Sequence, residues 1–298
     1  MKVRKGVFGA VLLLCATLCM TNVTALADDG THTHPICGTT HTDIGDHTGE
    51  CADVVWTAWD GTSDIDYGDD NTAYVYLSGN AARSEQLPVK DGKTLYLCLN
   101  GYSITRTTDS TDAFDAVIRV YGNAQLVLCD CKGSGTITHS ADVYGRGVRL
   151  GDSSSTGDFI MYGGAAGGGH AGTAPSGQRK RRPRNTAAAA GDGAGVESQQ
   201  SDFTMYGGKI TNNHVINGSS NEGGGVNMHT GGTFTMYGGE ISGNACSDTG
   251  GGVISVGTYL KLYGGTISNN TADKRGGGVF TNMTLTISDG ITITGNKS

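Results

Sequence analysis

The sequence contains a motif that recurs at a nearly fixed interval along the chain. The segment TFTMYGGEISGN begins at Thr233, and related copies begin at Asp202, Tyr259 and, in degenerate form, Thr284. An isoleucine follows the glycines of each copy, at intervals of 31, 26 and 26 residues: Ile210, Ile241, Ile267 and Ile293. A second motif, Gly-Gly-Gly-Val, keeps a similar spacing. A period of this size predicts a solenoid built by repeating one supersecondary unit.

Within each copy, apolar residues alternate with polar ones, which is the period of a β-strand. We predict that the apolar set fills the core: Phe203, Met205, Phe234, Met236, Leu260 and Leu262. The residues between them, such as Thr235, then face outward. Glycines follow at once, where a tight bend favours a residue without Cβ. Three short strands per repeat, with bends between them, describe one coil of a parallel β-helix whose coils stack on one another.

An asparagine lies three residues after each of these isoleucines: Asn213, Asn244, Asn270 and Asn296. Asparagine tolerates bends, and stacked side chains at one bend can hydrogen-bond through their amides. We therefore predict a structural ladder, with glycan attachment or ligand contact as the alternative.

The pattern continues upstream in a weaker form. LYLCLNGYSIT begins at Leu95 and LVLCDCKGSGTIT begins at Leu126, so that Cys98 aligns with Cys129. This alignment predicts β-helix coils over 95–164. Residues 61–94 are interpreted as strands that form an N-terminal cap, because an open strand edge invites pairing with other chains.

The repeat pattern GGGV…FTMYGG.ISGN resembles the right-handed parallel β-helix repeats of bacterial surface proteins, and the resemblance covers 95–164 and 202–298. It is similar to the polymorphic outer-membrane-protein repeat. The segments LCLNGYSI and LCDC.GSGTIT look like those of large secreted proteins of gut Firmicutes. The resemblance implies an all-β fold, a right-handed single-stranded parallel β-helix, and an adhesin-like function.

The N-terminus has the features of a secretory signal peptide. A basic start with Lys2, Arg4 and Lys5 precedes a mostly apolar stretch, and Ala25–Ala27 provides a small-residue cleavage site. We predict that residues 1–27 are removed and that the mature chain is secreted or placed on a bacterial cell surface. No later stretch is long and apolar enough for a transmembrane helix. Export and a net charge of −7 give no reason to expect a nucleic-acid partner.

Residues 28–60 are predicted to be a poorly ordered leader rich in histidine and cysteine: His32, His34, Cys37, His41, His47 and Cys51. Zinc takes such ligands, although the spacing fits no standard zinc finger. A metal site, a Cys37–Cys51 disulfide and a plain polar segment remain three alternatives. A second candidate disulfide joins Cys98 to Cys129 on adjacent coils, with reduced thiols as the alternative and Cys131 as a competing partner. No cofactor is expected.

The repeat is interrupted over 165–200, a segment with a basic cluster between Arg179 and Arg184 and a run of alanines. No ordered coil is expected there. The segment is interpreted either as a disordered insertion or as a coil translated out of frame, since shifted GGC codons encode alanine and arginine. Coils are predicted again over 201–298. The repeat is still running at Ser298, which is consistent with a piece of a longer surface protein.

The sequence contains no clear arrangement of catalytic residues. Acidic residues in the repeats lie at bends and are not expected to stack into a pair: Asp202, Glu240, Asp248, Asp273 and Asp289. No catalytic residue is assigned. We expect an adhesin-like module or a structural stalk that contacts a glycan or a host surface protein. The alternatives are a polysaccharide lyase or hydrolase and a non-functional, truncated gene copy.

Overall fold

The structure is a computed structural model that describes residues 31–33, 55–108, 115–140, 143, 145–167, 195–215 and 223–298. Over these residues the chain contains strands, turns and bends but no helix, which confirms the predicted all-β fold. Accordingly, no helix in the described ranges is long and apolar enough to cross a membrane.

The strands are short and follow one another closely. The first half contains β1 (Thr31–Thr33), β2 (Val55–Trp59), β3 (Thr72–Leu77), β4 (Ala81–Arg83), β5 (Leu87–Val89), β6 (Thr94–Cys98), β7 (Ser103–Arg106), β8 (Ala116–Val120), β9 (Ala124–Cys129), β10 (Thr136–His139), β11 (Arg146–Leu150), β12 (Gly157–Met161), β13 (Ala165–Ala166) and β14 (Val196–Gln199). The second half contains β15 (Phe203–Met205), β16 (Lys209–Thr211), β17 (His214–Val215), β18 (Val226–His229), β19 (Thr233–Met236), β20 (Glu240–Ser242), β21 (Ala245–Cys246), β22 (Val253–Val256), β23 (Tyr259–Leu262), β24 (Gly265–Ser268), β25 (Thr271–Ala272), β26 (Val279–Thr281), β27 (Leu285–Ile287) and β28 (Ile291–Thr294).

These strands form four sheets that run along the solenoid. Sheet I has ten strands in the order β1-β2-β3-β6-β9-β12-β15-β19-β23-β27. Sheet II has eight (β28-β24-β20-β16-β13-β10-β7-β4), sheet III has seven (β26-β22-β18-β14-β11-β8-β5), and sheet IV has three (β17-β21-β25). From β3 onward the chain visits sheets I, II and III in turn, and successive visits pair in parallel. The antiparallel pairing of β1 with β2 lies at one end. The predicted parallel β-solenoid is therefore confirmed.

Stacking is in register, so that equivalent residues of successive coils lie over one another. Phe159, Phe203 and Phe234 are Cα partners in sheet I, and their rings stack with centroids 4.9 and 4.8 Å apart. All six predicted core residues are fully buried: Phe203, Met205, Phe234, Met236, Leu260 and Leu262. They belong to one continuous apolar core inside the sheets.

The bend after each Tyr-Gly-Gly motif requires its second glycine. Gly208, Gly239 and Gly265 have φ of 83°, 90° and 97°, a region that side chains rarely allow. A Cβ on Gly239 would also lie 2.6 Å from Cε of Met205 and 2.8 Å from the carbonyl oxygen of Gly208. The glycine thus serves both the turn and the close approach of the coil below.

The coils begin earlier than the sequence predicted. β2 pairs in parallel with β3, and Trp59 is 4 % exposed within the core, although its position was placed in the poorly ordered leader. β3, β4 and β5 pair with β6, β7 and β8. Residues 61–94, predicted to be entry strands and a cap, therefore contribute strands that pair with the next coil.

The interrupted segment is also shorter than predicted. β13 lies between β10 and β16, and β14 lies between β11 and β18. The expectation of no ordered coil over 165–200 is wrong at both ends of that segment. Ala166 and Val196 are small or β-branched apolar residues in register with Ile210 and Val226, and both are fully buried. The basic cluster lies outside the described residues.

The alternation of inward and outward side chains gives a direct test. Met236 is fully buried between Met205 and Leu262, whereas Thr235 faces outward beside Lys261. We expect Met236→Asp to destabilise the protein by about 3 kcal/mol or more, because it removes core packing and buries a charge. Thr235→Asp should change stability by less than about 1 kcal/mol. Urea denaturation followed by circular dichroism measures both, and equal losses would contradict the assigned faces.

Candidate functional site

The four repeat asparagines form a hydrogen-bonded column at the corner between sheets II and IV. The side-chain amide of Asn213 donates to Oδ1 of Asn244 at 2.8 Å, Asn244 donates likewise to Asn270 at 2.9 Å, and Asn270 to Asn296 at 2.9 Å. Each accepting Oδ1 also receives the backbone N–H of the preceding asparagine, at 2.9–3.0 Å.

The second amide hydrogen of this column goes to the backbone. Nδ2 of Asn244, Asn270 and Asn296 donates at 2.9 Å to the carbonyl oxygens of Ile210, Ile241 and Ile267. Asn213, Asn244 and Asn270 are at most 1 % exposed. These three side chains therefore serve buried bends, whereas Asn296 stays partly exposed at the last bend.

The candidate disulfide residues Cys98 and Cys129 are Cα partners on β6 and β9. Sγ of Cys98 lies 3.6 Å from Sγ of Cys131, which is well beyond the roughly 2.05 Å of a disulfide bond, and the Cys98 side chain also hydrogen-bonds Cys129. The structure thus brings Cys98, Cys129 and the competing partner Cys131 together. Cys37 and Cys51 lie outside the described residues.

One of the candidate metal ligands in the leader, His32, lies within the described residues. His32 lies in β1 with its backbone opposite Trp56. The other candidate metal ligands lie outside the described residues: His34, Cys37, His41, His47 and Cys51. Elsewhere in the described part of the chain, no three His, Cys, Asp or Glu side chains are grouped so as to hold a metal ion.

The densest charged constellation lies on the outer face of sheet III. Arg119, Arg149, Glu197 and Asn227 are consecutive Cα partners on β8, β11, β14 and β18. Their neighbours along each strand point into the core. We call the row and its contacts the sheet III polar cluster, which consists of Arg119, Arg146, Arg149, Asp152, Glu197, Gln199, Asn227 and His229.

Ion pairs connect this cluster. Glu197 contacts Arg146 through one carboxylate oxygen and Arg149 through the other. Arg149 also donates to Oε1 of Gln199 at 3.1 Å. Arg119 lies 3.6 Å from Asp152, and its guanidinium stacks 4.3 Å from the ring centroid of Tyr121.

The cluster is polar yet largely shielded from solvent. Arg146, Arg149 and Glu197 are 4–6 % exposed, whereas the side chains of Arg119 and Asp152 retain 14 % and 15 %. Burying charge is costly unless each charge is paired. Because three guanidinium groups face two carboxylates, the cluster keeps a positive excess within an acidic protein. That excess suits the binding of an anionic group.

This cluster was not predicted, although the sequence contains a signal for it. An arginine stands between two core residues in both VIRV (117–120) and GVRL (147–150), which places a cation on the outer face of consecutive coils. Glu197 was hidden because it lies within the segment that was predicted to lack a coil. In the sequence, the interrupted segment thus separates Glu197 from the arginines that it contacts.

Two acids lie at equivalent positions of successive coils. Asp158 and Asp202 immediately precede the register partners Phe159 and Phe203. The backbone N–H of Asp202 donates to Oδ1 of Asp158 at 3.1 Å, and that of Thr233 donates to Oδ1 of Asp202 at 2.7 Å. Burial raises the pKa of Asp158, and the charge of Asp202 raises it further, against the lowering effect of the Asp202 N–H. Asp202 thus contacts an acid outside the five repeat acids that were expected not to pair with one another.

Comparison of the chain with models of known protein families, with curated proteins and with solved structures finds no match.

The raised pKa of Asp158 predicts a pH-dependent stability difference. A carboxyl whose pKa is higher in the folded state favours folding while protonated, and this contribution is lost as the pH rises through the folded pKa. Asp158→Asn keeps an acceptor oxygen but stays neutral. We expect the variant to have a higher urea midpoint than the wild type at about pH 7 and the same midpoint at about pH 3.

Asp248 provides a control of opposite sign. The Lys274 ammonium, 2.8 Å away, lowers the pKa of Asp248, so Asp248→Asn should lower the midpoint at neutral pH and have no effect in acid. If Asp158→Asn instead has a lower urea midpoint than the wild type at neutral pH, the proximity of Asp158 and Asp202 does not destabilise the folded protein.

Proposed function

We propose that the chain is an exported bacterial surface protein of the adhesin-like, right-handed β-helix class, and that it binds a glycan through the sheet III polar cluster. A host surface protein bearing such a glycan is the natural partner. The signal peptide predicted over 1–27 and the motif resemblance support export and the surface role. The positive excess on one outer face of a solenoid in a chain of net charge −7 carries the binding proposal.

The chemistry of the cluster favours an acidic sugar over a neutral one. Guanidinium groups bind carboxylates through paired hydrogen bonds in a fixed geometry. Arg119 is the most accessible of the three cluster arginines, and its planar head is held against Tyr121. Gln199 and His229, which are half-buried, lie one step further along the same strands and add hydrogen-bonding groups for hydroxyls.

A matched pair of polymers tests this proposal. Polygalacturonate and its fully methyl-esterified form share a backbone and differ in carboxylate charge, so calorimetric titration should show binding of the acidic polymer alone. The affinity should fall as salt is added, because salt screens the attraction between the carboxylates of the polymer and the positive excess of the cluster. Arg119→Gln should weaken binding about tenfold or more.

Lys209→Ala is the control variant. Lys209 is an exposed cation on sheet II, 3.5 Å from Glu240, and its loss should leave the affinity unchanged. Equal binding of the two polymers, or equal effects of the two variants, would contradict a carboxylate site at the cluster.

The stacked pair Asp158 and Asp202 favours a second candidate, a polysaccharide lyase or hydrolase. Adjacent parallel strands lie about 4.8 Å apart, which is close to the roughly 5–5.5 Å that separates the two carboxyl groups of retaining glycosidases. The same polymers can be assayed for new reducing ends or unsaturated products. Cleavage that is lost in Asp202→Asn would establish the enzyme, and intact polymer after prolonged incubation would exclude these substrates.

A further inference from the structure

Three thiols meet on the outer side of sheet I, at the ends of β6 and β9. Cys98 and Cys129 are buried, at 0 % and 4 % exposure, and pack with Tyr76 and Tyr96. Cys131 lies two residues beyond Cys129, in the turn after β9, and is exposed. Its sulfur is 3.6 Å from that of Cys98 and 3.5 Å from Oδ1 of Asn100. The group thus combines a solvent-accessible thiol with a buried one in direct contact.

The surroundings distinguish Cys131 from Cys129 as a bonding partner for Cys98. Cys129 is fixed in the ladder as the Cα partner of Cys98, and its sulfur contacts the carbonyl oxygen of Leu97 at 3.7 Å. Burial raises the pKa of the Cys129 thiol, which disfavours the reactive thiolate. Cys131 belongs to no strand, so its side chain and turn can move the short distance that a bond requires.

We propose that Cys98 and Cys131 are a covalent modification site, in which a disulfide forms between adjacent coils when the exported protein meets a small or protein-borne disulfide. Cys131, as thiolate, attacks one sulfur of that oxidant, and the oxidant's other sulfur leaves as a thiolate. Cys98 then loses its proton and attacks the sulfur of Cys131, which expels the second thiolate. Both protons pass through solvent to the released thiols, so one oxidant disulfide is reduced for each bond formed.

The bond would fasten one coil to the next. It closes a loop between residues 33 positions apart in sequence, and cross-linking a loop of that length restricts the unfolded chain substantially. Repeat proteins open locally, so the effect should be greatest in the coils that contain β6 and β9. We expect amide hydrogen exchange in β6 and β9 to slow by about a hundredfold on oxidation.

Peptide mapping of the full chain tests the proposal. After incubation with oxidised glutathione and blocking of remaining thiols, non-reducing mass spectrometry should find the peptide carrying Cys98 linked to that carrying Cys129 and Cys131. The link should persist in Cys129→Ser and be absent in Cys131→Ser. A link that persists in Cys131→Ser and vanishes in Cys129→Ser would overturn the assignment, as would the absence of any link in the wild type.

Cys246→Ser serves as the matched control for loss of a thiol. Cys246 is buried beside Val215 in a separate cluster, and its sulfur accepts the N–H of Asp248 at 3.4 Å. This variant should retain the Cys98–Cys131 link and the slower exchange of β6 and β9. If oxidation slows amide exchange in β6 and β9 of Cys131→Ser as much as it does in the wild type, another bond causes the effect. That result would refute the proposal.

Discussion

The in-register pairing of parallel strands is the constraint on which the rest of this structure depends. Each coil donates its backbone hydrogen bonds to the coil beside it, so each side chain lies over its equivalent in the next repeat. Apolar rows gain from this arrangement, as the stacked rings of Phe159, Phe203 and Phe234 show. A polar row is stable only if its neighbours complete its hydrogen bonds, and the asparagine column does so with both side-chain and backbone groups.

The same constraint governs where charge can be placed. In sheet III, Arg119 stacks on Arg149, and like charges in neighbouring strands repel each other. Asp152 and Glu197 offset that repulsion by pairing with the two arginines. Glu197 of β14 thus pairs with arginines of the preceding coil.

The repeating parts of the fold could be predicted from the sequence because their period is visible in it. Alternation identified Phe234 and Met236 as inward residues, and the isoleucine-to-asparagine spacing placed Asn244 at a bend. The interruption hid β13 and β14, since two alanines and one valine carry little strand signal by themselves. Contacts across coils, such as Asp158 with Asp202, require the exact register, and a period that shifts between 26 and 31 residues does not supply it.

The earlier and the later coils of the solenoid differ in the chemistry of their side chains. The asparagine column and sheet IV belong to the later coils, and there the outer row of sheet III continues as Ile254 and Phe280. The charged row and the three thiols belong to earlier coils, whose repeats depart furthest from the consensus. Functional residues break local rules at some cost in stability, and a solenoid tolerates such coils because its contacts are to nearest neighbours alone. Regular coils, such as those that contain Met236 and Asn244, therefore support their irregular neighbours. We expect functional residues in the coils that depart from the consensus repeat.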